Sequence, residues 1–263
     1  MHPTAANYLA PTLVLLHGFA EDSSIWNNLL PALQSHAQVL TPNLPGSGGT
    51  SFEPGVSDNL DAMAWQLWQW LPTQTTGPVI ILGHSMGGYI TLAMMEQQQA
   101  GQHTSVPVIG WGLVHSTALP DSAEKVETRQ KAIQFMEQHG TRAFLQTAIP
   151  GLFAPSFAHE QAPLVNQLID QGSQFTIQTL AGYYKAMIAR PNRTDVLKNS
   201  SWPVYFAIGQ HDKAAPMADV LPQTHLPAIS QVEIWAEAGH MGMLEQPEKM
   251  AASILQFIKL CSA

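Results

Sequence analysis

A serine hydroxyl becomes a useful nucleophile only when a base takes its proton and the backbone presents it outside the chain. Gly83-His84-Ser85-Met86-Gly87, with Gly88 following, has the composition for that chemistry. The run stands after an apolar stretch at 78–82 and before a helix-length pattern at 86–99. The spacing G-x-S-x-G between a strand and a helix predicts a sharp turn with Ser85 at its tip. Glycines two positions either side leave room for neighbouring backbone, and the new helix directs its first N–H groups toward the serine. A glycine-rich turn with an incidental serine is the bland alternative. The flanking strand and helix weigh against it.

The chain has eleven histidines to serve as base. His240, in Ala238-Gly239-His240-Met241, follows the last strand-like run and precedes the last helix-like one. His17, His84 and His115 also stand at strand ends, so position alone does not select among them. An orienting carboxylate should hydrogen-bond the base. Asp212, in Gly209-Gln210-His211-Asp212, precedes His240 by one helix and one strand, so adjacent loops can bring the two together. Asp219 and Asp195 are rivals, one in or near the next helix and the other close to residue 200; both read as solvated. His115 is a candidate substrate-pocket residue, against the plainer reading of a structural hydrogen bond.

These residues need elements to hold them. Apolar, β-branched runs recur at 12–16, 38–41, 78–82, 106–114, 203–208 and 231–235, with a short seventh at 7–10. Helix-length patterns lie between them at 24–34, 58–71, 86–99 and 247–260. Continuous apolar strands separated by helices predict an α/β fold, a mostly parallel sheet with helices on both faces. The rhythm stops between 118 and 200. There the patterns are all helical: 122–139 with a capping-box-like Asp121 and Glu124 and a stop at Gly140, then 141–148, 159–171 and 173–189. The expected organisation is a core of 1–117 and 201–263 with an all-helical lid at 118–200 inserted in it. Trp65, Trp68 and Trp70 read as core and surface of one helix, and Tyr183, Tyr184 and Met187 as helix packing.

Composition narrows the partners. Hydrophobic residues make up 45% of 263, enough for a sizeable core, while charged residues are only 11%. No Lys or Arg precedes Lys125, and all of the net charge of −8 belongs to the part before it. A half-chain without cations is a poor phosphate binder, so nucleic acid is not an expected partner and neutral small molecules are favoured over anionic ones. Cys261 is the one cysteine, so neither a disulfide framework nor a thiolate metal cluster is available. His159-Glu160-Gln161-Ala162-Pro163 has proline where a zinc site needs its second histidine. No metal and no cofactor are expected. The absence of a basic, apolar leader or an ~18-residue apolar run points to a cytoplasmic protein without a membrane span. No signal for oligomeric state is present.

Taken in order, His17-Gly18-Phe19, Gly83-His84-Ser85-Met86-Gly87-Gly88, Gly209-Gln210-His211-Asp212 and Gly239-His240 with Glu245-Gln246-Pro247 resemble the α/β-hydrolase superfamily. The likeness is to its lidded branch of esterases, lactonases and C–C hydrolases. The resemblance implies Ser85 as nucleophile, Asp212 as orienting acid and His240 as base, the chain order of that family. It also implies an oxyanion hole made by the backbone N–H groups of Phe19 and Met86. Asn43 stands where the family usually has Asp, at what looks like a loop-fixing hydrogen-bond site. A serine at 85 argues against the dehalogenase and epoxide-hydrolase branches, which use Asp. The implied activity is cofactor-independent hydrolysis of a small carboxylic ester or lactone. C–C bond hydrolysis, perhydrolysis and a slow-turnover ligand receptor are the alternatives.

Overall fold

A computed structural model describes residues 10–103 and 105–263. Among them, six strands form one all-parallel sheet: β1 (Thr12–Leu16), β2 (Gln38–Leu40), β3 (Val79–His84), β4 (Val108–Val114), β5 (Val204–Gly209) and β6 (Ser230–Trp235). Their order is β2-β1-β3-β4-β5-β6. The expected seventh strand at 7–10 falls almost entirely outside the described residues. Every residue of β1, β3 and β5 is buried, as continuous apolar runs covered on both faces must be. The edge strands β2 and β6 are more open.

The strand order fixes where a site can form. β1 pairs with β2 on one side and β3 on the other, so the chain reverses its direction of travel across the sheet between β1 and β3. Open parallel sheets bind ligands above the carboxyl ends of the strands at such a switch point. Leu16 is in register with Gly83 there, which brings His17-Gly18-Phe19 and Ser85 together.

The helices follow the sequence pattern, with breaks that the pattern did not show. The stretch 24–34 is not one helix: a 3-10 turn at Ser23–Trp26, capped by the Asp22 carboxylate, is followed by α1 (Leu30–Leu33). Pro31 sits in the first turn of α1, where its missing N–H costs nothing. α2 (Leu60–Trp70) starts at an Asn59 cap and buries Trp68 while Trp65 stays exposed. α3 (Met86–Gln99) follows Ser85 directly.

Between β4 and β5 lie α4 (Ala123–Ala148), α5 (Pro155–Glu160), α6 (Ala162–Gly172), α7 (Ile177–Ala189) and α8 (Thr194–Lys198), with no strand among the described residues. Gly140, at φ 83°, breaks α4 as expected. The N-cap of α4 is Ser122, whose hydroxyl accepts from Lys125 N–H; Asp121 is not part of a capping box but pairs with two arginines. The expected helix at 159–171 is two, parted at Gln161 because Pro163 opens a new first turn. α7 begins late, at a Thr176 cap, and α8 had no sequence signal strong enough to be read. α9 (Met217–Val220), α10 (Gly242–Glu245) and α11 (Pro247–Cys261) complete the order.

Candidate active site

Ser85 stands at the junction of β3 and α3 with φ 51° and ψ −113°, a conformation that costs a non-glycine residue roughly 1–3 kcal/mol. Crowding enforces the turn. A Cβ at Gly83 would lie 2.2 Å from Gly87 O, and one at Gly87 would lie 2.5 Å from Leu16 O. Backbone bonds then hold the tip: Ser85 N–H donates to Val114 O at 3.0 Å, and Ser116 Oγ donates to Ser85 O at 2.8 Å. Met86 is the first residue of α3, so its N–H has no acceptor within the helix. Neither it nor the Phe19 N–H has a protein acceptor among the described residues. Two free donors beside the serine suit an oxygen that gains negative charge.

His240 and Asp212 meet across adjacent loops. His240 Nδ1 donates to Asp212 Oδ2 at 2.8 Å, with both side chains buried. The other oxygen, Oδ1, accepts from Ala214 N–H and Ala215 N–H, each at 2.8 Å. Burial would raise this carboxyl, but the facing imidazoles and these hydrogen bonds hold it well below the usual carboxylate range. An ionised Asp212 on Nδ1 selects, for the neutral ring, the tautomer whose Nε2 can accept a proton. Among the described residues no hydrogen bond joins Ser85 Oγ to His240 Nε2. Such bonds commonly close only when substrate arrives. The rivals are elsewhere: Asp219 is exposed, and Asp195 is exposed and paired with Lys198 at 2.8 Å.

His115 is fully enclosed, at φ 49°, with Nδ1 3.5 Å from Asp212 Oδ2. It approaches the same carboxylate oxygen that His240 Nδ1 meets. Burial pulls its pKa down to about 4, so it is neutral.

Two further carboxylates organise the loops, and neither was given a role from the sequence, although Glu245 stands in the Glu245-Gln246-Pro247 run. Glu245 Oε1 accepts from Gly239 N–H at 2.9 Å and Met241 N–H at 3.1 Å, the two groups flanking His240. Its Oε2 accepts from Ala154 N–H at 2.8 Å, and His240 N–H donates to Leu152 O at 2.6 Å. The His240 loop is thereby docked on the segment that joins α4 to α5. Glu21 Oε2 accepts from Gly18 N–H at 2.7 Å and meets His84 Nδ1 at 3.0 Å. The only hint of either was position: three residues after Gly18, and in the Glu-Gln-Pro run after His240. Asn43 does fix its loop, accepting from Ser23 N–H at 2.8 Å and donating to Gly48 O at 3.2 Å.

The insertion reaches this edge of the sheet through aromatic rings. Tyr184 of α7 stacks on Phe19 at 4.3 Å between centroids, and Tyr183 donates to Pro45 O at 2.9 Å. A crevice of about 280 Å³ opens between the loop after β1 and α6, lined by Ala20, Glu21, Leu168, Phe175 and Leu244. Among the described residues no group of three His, Cys, Asp or Glu is arranged to hold a metal ion, and no helix is long and apolar enough to cross a membrane.

The sequence matches the model of the family described as "Alpha/beta hydrolase family" over residues 13–253. It is 27% identical over 223 residues to the magnesium-chelatase 30 kDa subunit of Rhodobacter capsulatus, covering 78% of this chain and 72% of that one. It is 22% identical over 247 residues to the pimeloyl-[acyl-carrier protein] methyl ester esterase of Vibrio vulnificus, covering 94% of each. Its structure is similar to that of a thermophilic esterase from Thermogutta terrifontis, with a TM-score of 0.85 at 26% identity over 96% of this chain and 91% of that one.

Proposed function

The chain belongs to the alpha/beta hydrolase family, and from that premise we propose that it is a serine hydrolase of small, neutral carboxylic esters or lactones, working through an acyl-enzyme. The observation that carries the reading is the His240–Asp212 bond, which turns Nδ1 to the carboxylate and reserves Nε2 for the reaction at the strained Ser85. In this reading Ser85 Oγ attacks the carbonyl carbon while His240 Nε2 takes its proton. The carbonyl oxygen becomes an oxyanion and is met by the N–H groups of Phe19 and Met86. Asp212 stabilises the imidazolium, which then protonates the leaving group. Water, activated by the same nitrogen, releases the acid and restores the serine. No step calls for a cofactor. The helical segment 118–200 acts as the lid, its Tyr184 covering the Phe19 ring.

The ester class is favoured over C–C cleavage and perhydrolysis because the Vibrio relative is named for a methyl ester and the Thermogutta neighbour is titled an esterase. A ligand receptor on this scaffold would acylate and stall. Steady-state hydrolysis of p-nitrophenyl acetate separates the two. The hydrolase reading predicts release of many equivalents of p-nitrophenol per site, abolished in Ser85→Ala. One equivalent followed by a plateau would overturn it.

A further inference from the structure

His84, the residue immediately before Ser85, is buried with both ring nitrogens in use. Nδ1 lies 3.0 Å from Glu21 Oε2, and Nε2 lies 2.9 Å from the carbonyl oxygen of His240. A neutral imidazole has one donor and one acceptor nitrogen; only the imidazolium has two donors. A carbonyl oxygen can only accept, so Nε2 carries a proton. Glu21 Oε2 already accepts from Gly18 N–H at 2.7 Å, which favours its ionised form, so Nδ1 must donate as well.

We propose that His84 is an imidazolium at neutral pH, paired with Glu21, and that this ion pair is a positioning device for the reaction proposed above. It ties three segments to one ring: the Gly18–Glu21 loop that presents Phe19 N–H, the turn that presents Ser85, and the loop that presents His240.

The surroundings favour the charge. Glu21 faces the ring from the loop after β1, and the Asp212 carboxylate adds its field from the loop after β5. Three more imidazoles lie around it. His17, at the end of β1, accepts Leu44 N–H on Nε2 at 3.0 Å and is therefore neutral. His115, whose ring centroid is 6.1 Å away, is neutral by burial. His240, at 4.9 Å, turns Nδ1 toward the Asp212 carboxylate. The edge-on ring of Trp26 completes the enclosure. Burial works against the cation, yet the balance leaves His84 above its ordinary value and Glu21 below its own.

The consequence is an alkaline limit to activity that belongs to neither Ser85 nor His240. When His84 loses a proton, one of its two bonds must break, and either the Phe19 loop or the His240 loop is released. Misplacing either group by an ångström costs on the order of a hundredfold in rate.

The test has two arms. In the first, ring ¹⁵N shifts of the eleven histidines are recorded in the resting protein, with His84 assigned by its loss in His84→Gln. The expected result is two protonated nitrogens on His84 at pH 7, with deprotonation at a lower pH in Glu21→Gln. A bare nitrogen on His84 at pH 7 overturns the proposal. In the second, kcat and KM for a p-nitrophenyl ester are followed against pH. Glu21→Gln should shift the alkaline fall of kcat to lower pH and reduce kcat about tenfold to a hundredfold at pH 8, with KM little changed. An alkaline limb that does not move overturns the positioning role. The arms fail separately from the hydrolase reading. Absence of turnover with His84 doubly protonated would remove the hydrolase and keep the pair. Normal turnover with a bare His84 nitrogen would remove the pair and keep the hydrolase.

Discussion

The loops at the carboxyl edge of the sheet and the helices inserted between β4 and β5 use their buried carboxylates in opposite ways. In the loops, Glu21, Asp212 and Glu245 each receive two or three hydrogen bonds, from backbone N–H groups and imidazoles, and among the described residues none of them pairs with a lysine or arginine. In and around the insertion, Asp121 takes Arg129 at 2.7 Å and Arg190 at 2.9 Å, with Arg129 also lying over Tyr184. The first arrangement fixes atoms of the backbone to within a hydrogen bond. The second holds helices together through long side chains. Under the proposed function, a reacting centre needs the first kind, and a lid can tolerate the second.

The largest expected effect tests whether the loop carboxylates serve chemistry rather than stability. Asp212→Asn should reduce kcat by up to about 10⁴ by presenting the wrong nitrogen of His240, with little change in melting temperature. Asp219→Asn, on the exposed α9, should change kcat by less than twofold. A large loss of stability and a small loss of kcat in Asp212→Asn would erase the distinction between the two regions.

Asp121→Ala should show the reverse pattern. It removes the carboxylate partner of the buried Arg190 and the half-buried Arg129, at a cost of about 3 kcal/mol in urea denaturation, while the kcat of the folded fraction falls far less than in Asp212→Asn. Acid should mimic it. Burial raises the Asp121 carboxyl, but Arg129 and Arg190 outweigh that and hold it below its ordinary value. Its contribution is therefore complete above about pH 4 and is lost as pH falls through the depressed value. The variant should lack that acid-side loss.

The smallest effect concerns His115, which separates field from contact within the loop region. Its folded pKa of about 4 lies below the unfolded value of about 6.5. The unfolded chain thus binds a proton that the folded chain refuses between those limits. Stability should be full above about pH 6.5 and decline as pH falls toward 4, with a slope of at most one proton. Urea midpoints at several pH values should show this component, and His115→Gln should remove it without abolishing turnover.

The same contrast decides what the sequence revealed. The strands, their parallel arrangement and the Ser85 turn follow from local patterns: an apolar run, a glycine pair, a helix start. The order of loops along the sheet edge allowed His240 and Asp212 to meet, but strand-end position left His17, His84 and His115 equally open, and the family resemblance singled out His240. The helix breaks at Asn27–Leu29 and Gln161 escaped, because each depends on a proline at a new first turn rather than on periodicity. Glu21 and Glu245 escaped for a different reason. Their partners are distant in sequence, His84 lying 63 residues from Glu21 and Ala154 lying 91 from Glu245. No composition or spacing announces which N–H groups a fold will aim at a carboxylate. His115 was placed at the right strand end, but the enclosure that turns it toward Asp212 is a property of the packed loops.

Ser85 as nucleophile is the claim on which the rest depends, and a fluorophosphonate probe tests it directly. Intact-mass and peptide mapping should show one adduct per chain, on Ser85, formed in the wild type and absent in Ser85→Ala, with kcat in that variant lower by roughly 10⁴–10⁶. Adduct formation that persists in Ser85→Ala, or that maps to another serine, would contradict the account.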